Sequence, residues 1–283
     1  MSSLIIKNLY LQSCAEELKV NKPGNHSDES KILGMYSKKF LYASKLSAEF
    51  MVDKEKSIGE IIFSSTKKCI DCLNSNYNLG IILLCAPLIK AHLNKPKKFR
   101  KELYKVLKNI NNYDTKLILD AIKYAQPGGI KKYKGEGDVF MKNIHNLSLL
   151  KIMKISSKWD RISKCYIDNY NEIFKIGLPF LGEIKKKITK GKAIQMLYLN
   201  FASRYMDSHI LRKYGYHKAR TTKKMFGVTF KKIYTNIEKN SCQEIDSLDR
   251  YLKELHLNPG TCADLTVTTL LMDKIKDIFK YPL

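Results

Sequence analysis

The chain has 283 residues, 44% of them hydrophobic and 10% aromatic, and a formal net charge of +24, which is the composition of a globular protein with a sizeable core and excludes a disordered or fibrous chain. Its longest apolar run, LGIILLCAPLI at 79–89, falls short of the ~20 residues that span a bilayer, and no cationic stretch leads into an apolar one near Met1. A soluble, cytoplasmic protein without a membrane partner is expected. Seven scattered cysteines argue against a disulfide framework and for a reducing compartment.

Apolar residues recur at spacings of three and four, and sustained alternation is absent, so the expected fold is all-α: a single compact domain over 1–283 of about ten to twelve helices. In chain order the pattern predicts helices at 3–20, 36–53, 57–74, 79–93, 98–110, 114–125, 144–176, 182–205, 207–214, 217–238, 243–256 and 261–279. The breaks carry Pro, Gly or Asn: NKPGN at 21–25, NSNYN at 74–78, QPGGIKKYKGEGD at 126–138, IGLPFLG at 176–182 and LNPG at 257–260. None is long enough for a domain linker.

Several of these breaks carry more polar chemistry than a turn needs. After the first helix, Lys22-Pro23-Gly24-Asn25 suits a type II turn and, alternatively, aims Lys22 and backbone N–H groups at a phosphate. Cys69 and Cys72 form a CxxC inside a predicted helix without a second pair, which reads as a helix face rather than a zinc site. Asn76, Asn78 and Gly80 precede an apolar helix whose start offers free N–H groups to an anion. The segment 126–138 brings Gly128, Gly129, Gly135 and Gly137 together with three lysines and ends at Asp138; its spacing matches no phosphate-binding loop, and a connector or a lid both fit. Asp160 and Lys164, inside the predicted 144–176 helix, read as an i, i+4 surface pair.

Asp207 suits the N-cap of a short helix holding Ser208, His209, Arg212 and Lys213 and stopped by Gly215. Asn258, Pro259 and Gly260 turn the chain into Thr261 and Asp264, spaced as a capping box. The positive charge itself is less informative. Only six of 51 cations are arginine, and the lysine clusters read as solvated faces, so a nucleic-acid partner is not expected, although the field would speed encounter with a small polyphosphate.

Taken in this order, the stretches resemble the triphosphoribosyl-dephospho-CoA synthase family. The matching residues are Glu17 with Lys22-Pro23-Gly24, Asn76 and Asn78-Leu79-Gly80 leading into LLCAPL, Pro127-Gly128-Gly129, Asp138-Val139, Asp160-Arg161 with Tyr166, Asp207-Ser208-His209 with Arg212-Lys213 and Gly215, and Asn258-Pro259-Gly260-Thr261 with Ala263-Asp264-Leu265. Met206 departs from the proline common before Asp-Ser-His in that family.

The resemblance implies a transferase that joins ribose C1′ of ATP to the 2′-hydroxyl of dephospho-CoA and releases adenine. An oxocarbenium-like state is expected by analogy with glycoside chemistry. Asp207 or Asp264 would then supply the base or stabilising carboxylate, and His209 would assist adenine departure. Lys22, Arg212 and Lys213 would grip phosphates. Asn76, Asn78 and Asn258, with Gly80, Gly260 and Thr261, would complete the nucleotide site. Glu17, Asp138 and Asp160 would hold Mg²⁺. Two other readings stay open at this point: a ribosyl-type transferase of the same family acting on another acceptor, such as a pterin-cofactor precursor, and a lysine-rich nucleic-acid binder. An oligomer is compatible with all of them.

Overall fold

The computed structural model describes residues 2–142, 144–237 and 242–280, without the side chains of Pro96, His145 and Cys242. Among the described residues there are fourteen α-helices and no strand: α1 (Ser2–Leu18), α2 (Ser37–Met51), α3 (Ile58–Leu73), α4 (Leu79–Asn94), α5 (Phe99–Lys108), α6 (Asn112–Ala125), α7 (Leu149–Ser156), α8 (Arg161–Asp168), α9 (Leu178–Ile184), α10 (Lys190–Arg204), α11 (Ser208–Tyr214), α12 (Tyr216–Thr235), α13 (Cys242–Glu254) and α14 (Gly260–Phe279). No helix of the described residues is long and apolar enough to cross a membrane.

The count exceeds ten to twelve because two predicted helices divide. The 144–176 segment is a short 3₁₀ turn, α7, α8 and a π-helical stretch at Glu172–Gly177. Asp160 has extended backbone and accepts from Ser163 N at 2.8 Å, so it caps α8 instead of lying within a helix. Asn169 and Tyr170, both at positive φ, end α8. The 182–205 segment separates into α9 and α10 because Thr189 is extended (ψ 155°) after the lysine run 185–187. No Pro or Gly marks either break. The last three residues of the predicted 217–238 helix extend past Thr235, and 238 lies outside the described residues.

The core is built on α4 and α14. Both are buried almost all round, as expected for helices without a polar face. The 3,4-spacing of Leu265, Thr268, Met272, Ile275 and Phe279 predicts one buried stripe on α14. The first four are fully buried and Phe279 is half-buried, but the burial is wider than a stripe, since every residue from 265 to 272 is buried. Helix α4 packs on α3, α5, α8 and α14, while α14 also packs on α1 and α10.

Pro87 stands inside α4, where it removes the N–H that would bond the Leu83 carbonyl. Tyr166 Oη donates to that carbonyl at 2.7 Å, and Tyr170 Oη donates to the Leu84 carbonyl at 2.9 Å, so α8 and the turn after it satisfy the interrupted ladder. Cys69 is buried and Cys72 exposed on α3, a helix face as read from the sequence. The packing brings the starts of α4, α8, α11 and α14 and the ends of α1 and α6 around one cavity.

Candidate active site

The cavity holds about 1070 Å³, at the upper end of the ~300–1,000 Å³ usual for small-molecule sites. Most of the polar stretches picked out in the sequence line it: Glu17, Asn76, Asn78, Gly80, the 126–139 segment with Asp138, Asp160, His209 with Arg212, and Asn258, Gly260, Thr261 and Asp264. Sites more than 240 positions apart in the chain thus face one chamber.

Asp264 faces the cavity from near the start of α14. Burial, followed by the charges of Asp207, Glu17 and Asp160, pushes its carboxyl well above the usual range, and only Arg212 opposes the rise. The role of Gly80 follows from this neighbour: a Cβ there would lie 2.0 Å from Asp264 Oδ2, so only glycine lets the start of α4 approach the carboxylate.

Arg212 is held by Asp160 Oδ2 at 3.4 Å and, through Nε, by the Gly128 carbonyl at 2.8 Å. These bonds use fewer than half of the five donors on a guanidinium, and the residue lines the cavity. His209 sits between two glycines: a Cβ on Gly128 would be 3.3 Å from Nε2, and one on Gly260 3.0 Å from Nδ1. Burial first, then Arg212 and Lys213, lower its pKa to about 4, so the imidazole is neutral at pH 7. It offers a hydrogen bond rather than a full positive charge.

Four assignments from the sequence need correction. Lys22 is fully buried and does not line the cavity; its ammonium donates to the carbonyls of Glu17, Val20 and His26 at 2.9, 3.2 and 3.1 Å and pairs with Glu17 at 3.2 Å. Three carbonyls exhaust its three protons, leaving none for a phosphate. The turn it begins is the expected one, closed by Asn25 N donating to the Lys22 carbonyl at 2.8 Å, with Gly24 at φ +77°.

Asp207 is also turned inward. Oδ1 accepts from the N–H groups of His209 and Ile210, and Oδ2 accepts from Cys262 N at 2.9 Å, so one carboxylate caps both α11 and α14. Asp207 therefore positions the site without lining it. The same bond replaces the expected Thr261–Asp264 capping box, since the α14 start has no side-chain cap of its own. Lys213 is exposed outside the cavity lining, with its ammonium over the Tyr214 ring.

The proposed trio of metal ligands does not assemble either. Among the described residues no group of three or more His, Cys, Asp or Glu side chains is placed to hold an ion. Glu17 is paired with Lys22, Asp160 with Arg212, and Asp138 Oδ1 accepts from Phe140 N at 3.0 Å.

The amides are placed with distinct jobs. Asn76, rather than Asn78, caps α4, its Oδ1 accepting from Leu79 N at 3.1 Å. Asn78 donates to Ser47 Oγ at 3.2 Å, and Asn258 Oδ1 accepts from Asn25 Nδ2 at 2.7 Å, joining the first and last motifs. Sequence reasoning missed the aromatic and apolar lining, including Phe40, Tyr77, Tyr133 and Trp159. Tyr77, Tyr133 and Trp159 stand within or beside the polar motifs, where the polar neighbours drew the reading, and Phe40 lies outside them; only the folded chain shows all four at the wall.

Comparison with known proteins agrees with this assembly. No curated protein sequence matches the chain. A crystal structure from Archaeoglobus fulgidus assigned as a triphosphoribosyl-dephospho-CoA synthase superposes with a TM-score of 0.65 at 21% identity, covering 83% of this chain and 98% of that one, which shows a shared fold. The family model for CitG, ATP:dephospho-CoA triphosphoribosyl transferase, matches residues 4–282. With nearly its whole length matched, the chain belongs to the ATP:dephospho-CoA triphosphoribosyl transferase (CitG) family of transferases.

Proposed function

We propose that the chain transfers the triphosphoribosyl group of ATP to the 2′-hydroxyl of dephospho-CoA and releases adenine. In this step the C1′–N9 bond of ATP breaks, the bond from C1′ to the acceptor oxygen forms, and the hydroxyl proton leaves while adenine takes one up. The observation that carries the reading is Asp264: a carboxylate that faces the cavity among other acids, its pKa raised well above the ordinary value by burial and by those neighbours.

Ionised Asp264 would accept the acceptor's proton and offset positive charge developing at C1′. Arg212, anchored by Asp160 and Gly128, would bind phosphate, helped by the free N–H groups at the start of the sixteen-residue α4. Asn258 would meet sugar hydroxyls, and neutral His209 would hydrogen-bond the departing base.

The acids fit a magnesium–triphosphate unit better than a bare ion, because Mg²⁺ is usually held by one or two carboxylates together with substrate phosphates. With Glu17 committed to Lys22 and Asp160 to Arg212, the substrate's phosphates would supply most of the ligands and carry the ion in. Bound there, the ion would neutralise phosphate charge. The test is direct: purified protein with ATP, Mg²⁺ and dephospho-CoA should yield free adenine and a triphosphoribosylated product by mass spectrometry. Hydrolysis of the triphosphate, or adenine release without a coupled product, would refute the proposal.

A further inference from the structure

Two aromatic groups line the cavity and take no part in the chemistry above. One is His26, Phe40 and Tyr77: the first two rings stack at 5.3 Å, and Phe40 meets Tyr77 edge-on at 4.9 Å. The other is Tyr133 and Trp159, with centroids 5.1 Å apart. Each holds its geometry by specific bonds. His26 Nδ1 accepts from Ile32 N and Nε2 donates to Ser37 Oγ, both at 3.1 Å, which fixes the ring as a neutral backing for Phe40. Tyr133 Oη donates to the Glu136 carbonyl at 2.9 Å within the glycine-rich segment.

Both substrates of the proposed reaction are adenine nucleotides, so one chamber has to hold two purines. Its volume is large for a single ligand, and aromatic faces are the common means of holding a base. The surroundings distinguish the two groups. Beside His26 and Tyr77 stand the amides of Asn25, Asn76 and Asn78 and the start of α4, a polar corner suited to ribose and a triphosphate. The same cavity has an apolar wall that includes Leu119, Ile122, Val139 and Ile152. Val139 closely follows Tyr133 in the chain, and Ile152 lies on α7, which ends shortly before Trp159, so the wall on that side suits the long thiol-bearing arm that dephospho-CoA has and ATP lacks.

We infer that Trp159 and Tyr133 stack the adenine of dephospho-CoA, and that Phe40, backed by His26 and flanked by Tyr77, stacks the adenine of ATP. This assignment rests on the function proposed above, but its test reads binding without turnover.

Trp159 is the single tryptophan of the chain, so its emission reports on one of the two groups alone. Dephospho-CoA added to the full chain without ATP should quench that emission, and ATP with Mg²⁺ should leave it nearly unchanged. By calorimetry, Trp159→Ala should weaken dephospho-CoA binding by about tenfold, the scale of one lost base stack, and ATP binding less than twofold. Phe40→Ala should do the reverse.

Two controls keep the result interpretable. Trp159→Phe preserves a stacking face and should retain most of the dephospho-CoA affinity. 4′-Phosphopantetheine, which lacks the base, should bind wild type and Trp159→Ala alike. The assignment is overturned if Trp159→Ala leaves dephospho-CoA affinity unchanged or weakens ATP as much. The expected binding pattern in a protein that makes no triphosphoribosylated product would refute the function and leave the base sites standing. Normal turnover with unchanged KM for both substrates in Trp159→Ala would do the opposite.

Discussion

Lys22 and Arg212 were both read from the sequence as cations for phosphate, and in the fold each meets a carboxylate, Glu17 and Asp160, to a different end. The lysine is completely buried and bonded to three carbonyls, so it fastens the turn after α1. Arg212 and Asp160 keep 23% and 15% of their side-chain surfaces and line the cavity. A motif cation can thus build a wall or face what the wall encloses. What decides is whether its donors are already spent.

The comparison is tested most severely by removing each cation. Lys22→Met leaves Glu17 and three carbonyls without their buried partner and should cost about 3–5 kcal/mol of stability, read from urea or thermal melts. A stable Lys22→Met protein with impaired ATP binding would reverse the roles. Asp264→Asn comes next and should show opposite signs in two measurements. It should lower kcat on the order of 100-fold, the scale of a lost general base. It should also raise Tm, because a carboxyl whose folded pKa lies above its unfolded value destabilises the fold once pH exceeds that unfolded value. Loss of both activity and stability would argue for a structural role.

Arg212→Ala should reduce kcat/KM for ATP by roughly 10- to 100-fold, the loss expected for hydrogen bonds to a charged group. Its stability should change by less than about 1 kcal/mol, because the pair is partly exposed. The smallest effect concerns His209. Its folded pKa of about 4 lies below the ordinary 6.5, so the stability tied to its neutral form is present above pH 6.5 and is lost as pH falls toward 4. His209→Gln should therefore flatten the decline of Tm between pH 7 and pH 5, with His92, also lowered to about 4, accounting for part of what remains.

Helices α4 and α14 are buried too widely for spacing to mark a face. The fold class was legible all the same, because apolar residues recur at three and four in helices with one covered face, such as α3 and α5, and strand-like alternation is absent. The breaks at Asp160 and Thr189 were not, since a polar N-cap in the middle of a helical pattern looks like one more surface residue. In the site, the loop motifs were legible as motifs: Asn76, Gly80, Asp160, Arg212 and Asp264 all reach the cavity. Which atoms remain available to a ligand was not. Asp207 reads as an N-cap in sequence and is one, yet its second oxygen serves a helix that begins 53 residues later, at Gly260. That long-range bond turned a candidate base into a brace. The aromatic lining was hidden for a different reason, because Phe40 and Trp159 carry no local pattern that separates a ligand wall from ordinary packing.

The proline in α4 has a consequence for the rigidity of the cavity walls. With two phenol hydroxyls riveted to successive carbonyls of that helix, neither it nor α8 can slide without stranding buried oxygens. The strut that presents Gly80 and the one that presents Asp160 therefore move as a single piece. The 126–138 segment is fastened differently: its side-chain ties to α11, Arg212 to the Gly128 carbonyl and Lys132 to the Lys213 carbonyl, lie at the surface.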